Sequence, residues 1–128
     1  MQTTIKSPVT FTGTGLHSGR PVRMTINPGP AEYGIWFCRT DLRSGDRLIA
    51  ARWDSVEPTR LCTKIVNASG TEVSTIEHVM AALAGCGIHN ALIEVSGPEC
   101  PIQPELPIAV ISRILIGFSL GCARHMRF

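Results

Sequence analysis

Glu77 and His78 stand side by side in "STIEHVMAALAGCGIHN", residues 74 to 90. A neutral imidazole can bind zinc, and a neighbouring carboxylate can take a proton from water, so the pair suits metal-assisted hydrolysis. The same residues have a structural explanation. Ser74-Thr75-Ile76-Glu77 reads as a capping box, with Ser74 as the N-cap and the Glu77 carboxylate reaching back to the Ser74 backbone N–H. A second ligand in the H-x-x-E-H pattern would need a histidine at position 74, where Ser74 stands. Chemistry and capping therefore both remain open at this point. The other candidates are weaker. His17 lies in the glycine-rich "GTGLHSG", a poor phosphate signal because no helix clearly follows. His89 follows "GCG" as a turn residue, His125 sits alone near the end, and Cys62 in "RLCT" reads as a reactive thiol or a half-buried strand cysteine.

The elements that must position these residues follow from periodicity. Ile76, Val79, Met80 and Leu83 recur at helical spacing and form one apolar stripe. His78 falls off that stripe, beside Ala81, Ala82 and Gly85, a face of small residues that lets another surface approach closely. Gly85 is placed to end the helix in a left-handed cap. Strand alternation marks "PVRMTINP", with Val22, Met24 and Ile26 on one face, and "NALIEVSG", with Ala91, Ile93 and Val95. "YGIWFCRT", "DRLIAARWDSV" and "RLCTKIV" are further strands, and "TGTG", "NPGP", "RSGD" and "NASG" read as the punctuation between strands. "NPGP" is expected to separate two hairpin-like strands. Strands, a helix, a strand and an apolar segment at 106–118 that could be a second helix make an α+β domain, with helices on one face of a mainly antiparallel sheet.

Composition limits the partners. The net charge of +2 is too small to argue for nucleic acid or an anionic membrane. Five cysteines without a C-x-x-C pair make neither a disulfide framework nor a zinc knuckle, and suit a reducing cytoplasm. The start lacks the apolar core of a signal peptide. The longest apolar run is interrupted by Arg113 and is shorter than the roughly 20 residues of a membrane span.

Three segments in order, "TFTGTGLHSGRPVRMTINP", "TRLCTKIVN" and "STIEHVMAALAGCGIHNALIEVSGPECPI", resemble the N-terminal half of the UDP-3-O-acyl-N-acetylglucosamine deacetylases, zinc enzymes of lipid A biosynthesis. The resemblance implies a fold of two similar α+β domains of the ribosomal S5 domain 2-like type, with the active site between them. It implies hydrolysis of the N-acetyl group of a UDP-sugar lipid precursor, UDP-3-O-(3-hydroxyacyl)-N-acetylglucosamine, releasing acetate. His78 then matches one of three protein ligands of the zinc, Glu77 the general base, and Leu61, Cys62 and Thr63 a segment beside the active site.

After Pro101-Ile102 the likeness stops. The family continues with a Met-Asp-Gly-Ser turn and a second domain bearing the other zinc ligands, whereas this chain runs on as "QPELPIAVISRILIGFSLGCARHMRF". Residues 1–102 carry nine Lys/Arg and nine Asp/Glu, while residues 103–128 carry three Arg and one Glu, so the charge excess coincides with the break. The expectation is a deacetylase domain over 1–102 and a divergent tail over 103–128 that reads as a frameshift, incomplete as a catalyst unless a partner chain supplies the missing ligands. The alternative is a small non-catalytic α+β binding or interaction module in which Glu77 is only a cap.

Overall fold

The structure is a computed structural model that describes residues 2–57, 59, 62–102 and 113–116. Its centre is β3 (Pro21–Pro28), whose Val22, Met24 and Ile26 are buried while Arg23 faces solvent. β2 (Val9–Gly15) pairs antiparallel along one side of it and β9 (Ala91–Val95) along the other. β9 also pairs in parallel with β4 (Ile35–Arg39), and β5 (Leu48–Ala50) and β10 (Pro101–Ile102) complete a six-stranded sheet in the order β10-β2-β3-β9-β4-β5. Strands on both sides of "NPGP" are thus separated by β9 and are not a hairpin: a chain returning from the far side of the domain occupies the slot between them. "TGTG" likewise lies inside β2 and is not a connection. Glycines are tolerated in a strand where another group comes close, and one does at Gly15 (below).

A small sheet of β6 (Val56–Glu57), β7 (Lys64–Val66) and β8 (Glu72–Ser74) leads into the helix. Arg39 ties this sheet to the large one, donating from Nη1 to the Glu72 carbonyl at 3.0 Å while Nε and Nη2 grip both oxygens of Asp41 at 2.8 and 2.7 Å. Those hydrogen bonds hold the Asp41 carboxyl below its ordinary range. The stability they add is present above the usual carboxylate value of about 4 and is lost as pH falls through the lowered one. Melting temperatures scanned from about pH 7 to about pH 2 are expected to fall less steeply at the acid end in Asp41→Asn than in the unaltered chain.

Helix α1 (Glu77–Gly85) packs its stripe on the sheet: Val79 and Leu83, with Ile76 just before them, are buried in one cluster with Met24, Phe37 and Ile93, and Met80 packs partly against it. Its start differs from the expected box. Ser74 ends β8 and gives its N–H to the Pro98 carbonyl at 2.9 Å, the cap position is Ile76, and no side chain caps the helix. Between strand and helix Thr75 sits at φ +59, an uncommon conformation for a β-branched residue that costs on the order of 1–3 kcal/mol.

The end also shifts. Gly85 is still helical, and the left-handed residue is Gly87 at φ +69. Ile88 N–H bonds the Leu83 carbonyl at 2.9 Å and Gly87 N–H the Ala84 carbonyl at 3.1 Å, the paired bonds of a Schellman cap. The two glycines should therefore respond oppositely to alanine. Gly87→Ala is expected to cost about 1 kcal/mol. Gly85→Ala, with open space where its Cβ would stand, should gain up to about 1 kcal/mol. Urea denaturation of both variants checks this, and the reverse order would restore Gly85 as the cap.

β1 (Gln2–Ile5) pairs antiparallel with β11 (Arg113–Ile116). Residues 113–116 are thus extended, where the sequence allowed a helix over 106–118; the rest of that segment, like His125, lies outside the described residues. Among the described residues no helix is long and apolar enough to cross a membrane.

Candidate active site

Glu77 and His78 occupy the first turn of α1, where the helix dipole favours negative charge. The backbone of Thr63 meets them there. Its N–H donates to Glu77 Oε2 at 3.0 Å, and its carbonyl accepts the Ile76 N–H at 3.3 Å. Thr63 is thus fastened to the helix start at two points. Cys62, half-buried, stands in a bend ahead of β7 and not within a strand, with Thr59 Oγ1 accepting its N–H at 3.1 Å. Leu61 lies outside the described residues.

The second oxygen of Glu77 is the unusual atom. Oε1 is buried and has no hydrogen-bond partner among the described residues. Leaving such an oxygen unpaired costs about 1–3 kcal/mol, and buried polar atoms are otherwise paired almost without exception. His78, next in sequence, is exposed, with Ala81 and Gly85 exposed on the same side of the helix. A cleft of about 290 Å³ borders the acid, walled by Trp53, Val56, Ile65, Ile76 and Met80 and lined also by Thr63 and Glu77. Trp53, 87% exposed, opens this cleft from a short 3₁₀ turn, Trp53–Ser55. Periodicity could not have found it, because its wall is assembled from three separate segments. Cys100 is buried behind the helix start, where burial and then the charges of Glu77 and Glu99 push its thiol up to about 12, so it stays protonated and inert.

The donor set tests the fit to zinc. His78 offers one imidazole at the surface with a carboxylate next to it, which suits one ligand and one base. No group of three or more His, Cys, Asp or Glu that could hold a metal ion occurs among the described residues. His17 and His89 are not brought to His78 as co-ligands: the His89 ring accepts the Thr3 N–H at 2.9 Å, and the His17 backbone belongs to a loop anchored on Glu99.

The sequence model of one family, LpxC, UDP-3-O-acyl N-acetylglycosamine deacetylase, matches residues 2–104. The chain belongs to this family. Among curated relatives, the UDP-3-O-acyl-N-acetylglucosamine deacetylase of Shewanella woodyi is 54% identical over 102 residues, covering 80% of this chain and 33% of the relative. Those of Phenylobacterium zucineum and Pasteurella multocida are each 48% identical over 102 residues, covering 80% of this chain and 35% and 33% of theirs. The chain thus spans about a third of the length of the curated relatives it matches.

Proposed function

We propose that residues 1–102 form the part of a zinc-dependent deacetylase that supplies the general base and one metal ligand for removing the N-acetyl group from UDP-3-O-(3-hydroxyacyl)-N-acetylglucosamine in lipid A biosynthesis. The observation that carries this reading is the buried, unpartnered Oε1 of Glu77, with the exposed His78 next in sequence, in a chain of this family. When bound, zinc polarises an amide carbonyl and lowers the pKa of its water towards about 7. His78 would hold the metal. Glu77 would take the proton on Oε1, since Oε2 is already engaged by Thr63 and cannot swing away without losing that bond. Cys62 and Thr63 would stand beside the reacting group, with Leu61 next to them in sequence.

A catalytic zinc needs about three protein ligands, and His78 provides one, so the reading includes no turnover by the 128 residues alone. The cytoplasm is the proposed setting, supported among the described residues by the free thiols of Cys38, Cys62 and Cys100. The test is to join residues 1–102 to the remaining two thirds of the Shewanella woodyi relative and measure acetate release and bound zinc. Zinc-dependent release by the joined protein and none by the chain alone is expected. A joined protein that folds and binds zinc but releases no acetate would overturn the reading.

A further inference from the structure

Glu99 has no part in the chemistry above, yet it is buried, 5% exposed, at the meeting point of three segments. Its Oε2 accepts the His17 N–H at 3.0 Å and the Thr75 hydroxyl at 3.2 Å, and its Oε1 accepts the Ser18 N–H at 3.1 Å. Burial pushes the carboxyl up, but the bonds from Ser18, His17 and Thr75 outweigh it and hold the group below its ordinary range. The backbone on either side of it grips the same junction. Ser74 gives its N–H to Pro98, and the Ser74 carbonyl accepts the Cys100 N–H at 3.0 Å. The loop it holds is closed on itself, with Gly15 N–H on the Arg20 carbonyl and Gly19 N–H on the Gly15 carbonyl, both at 3.0 Å. A Cβ at Gly15 would lie 2.0 Å from Glu99 Oε1, so the carboxylate fills the space that this glycine leaves. That loop carries exposed Leu16 and His17, and Thr75, in its left-handed conformation, is two residues from Glu77.

We propose that Glu99 is a positioning residue, whose carboxylate locks the loop at residues 15–20 to Thr75 and so fixes together the loop and the helix start that bears Glu77 and His78. Its importance for deacetylation rests on the function proposed above, but the lock itself does not. A carboxylate can accept on both oxygens at once, whereas a glutamine at position 99 keeps one acceptor and turns the other into a donor facing an N–H. Breaking the lock at either end should therefore release the other.

The experiment is NMR on the 128-residue chain, with amide exchange read at His17 and Ser18 and resonance positions at the Glu77 amide and the His78 ring. Glu99→Gln is expected to speed exchange at His17 or Ser18 by about tenfold or more, as for a lost charge-assisted bond, and to move the Glu77 and His78 resonances. Gly15→Ala keeps the charge but displaces the carboxylate, and should move the same resonances. If both variants fail to fold, Thr75→Val removes only a hydroxyl, and should speed exchange at His17. Release of the loop with Glu77 and His78 unmoved would reduce Glu99 to a loop anchor and overturn the proposal, as would unchanged exchange in all folded variants. None of these readings needs turnover, so an inactive joined protein would count against the proposed function and leave this result standing.

Discussion

Glu77→Gln in the joined protein is expected to lower the rate of acetate release by about 10²–10⁴-fold, with zinc content unchanged. The replacement keeps the shape of the side chain. Its amide oxygen can still accept the Thr63 N–H, so the loop at Cys62–Thr63 stays seated and the helix start stays in place. What disappears is the ability to take a proton: an amide nitrogen stands where Oε1 stood, in a buried position that already lacked a partner. Stability should change little, because one unpaired buried group is exchanged for another. If the rate stays within about twofold of the unaltered protein, Glu77 only anchors Thr63. The base would then have to stand elsewhere in the joined protein. Purification with zinc measured by atomic absorption, thermal melting and a rate assay separate these outcomes in one preparation.

The parts of the fold legible in the sequence are those decided by one buried face. Val22, Met24 and Ile26, Ala91, Ile93 and Val95, and the Ile76–Val79–Leu83 stripe all face the core as alternation or helical spacing required. What could not be read was decided by partners distant in sequence. S-x-x-E is a local pattern, but the Ser74 N–H is taken by Pro98 and the Glu77 carboxylate by Thr63, 24 and 14 residues away, so the box never closes. "TGTG" looked like punctuation because the reason for Gly15, the carboxylate of Glu99, lies 84 positions further on (99 − 15). The parallel pairing of β4 with β9 is likewise a decision of the whole chain, since β5, the 3₁₀ turn, the small sheet and α1 all lie between the two strands in sequence. At the site, Glu77 and His78 stood out by type and adjacency. The unpartnered oxygen of Glu77, on which its proposed chemical role rests, appears only when every neighbour is in place.

Leu83→Ala is expected to destabilise the domain by about 3 kcal/mol and to lower its melting temperature by on the order of 10–20 °C. Leu83 is 1% exposed, lies under α1 in the main core cluster, and its carbonyl accepts the Ile88 N–H that closes the Schellman cap. Removing its side chain loses the transfer energy of the missing carbons and leaves a cavity, which a helix pinned at Thr63 on one end and Gly87 on the other cannot easily close. Ala84, one residue on, is exposed, and Ala84→Ser should stay within about 0.5 kcal/mol. The contrast carries a functional consequence because one short helix has divided tasks. Its inner stripe holds it to the sheet, and its first turn offers the acid and the imidazole. A helix loosened at Leu83 should keep both groups and lose their placement, so in the joined protein the rate should fall at temperatures where the fold is still intact. A loss below about 1 kcal/mol in chemical denaturation would mean that α1 is not seated on the sheet through Leu83, and the division of tasks would fail with it.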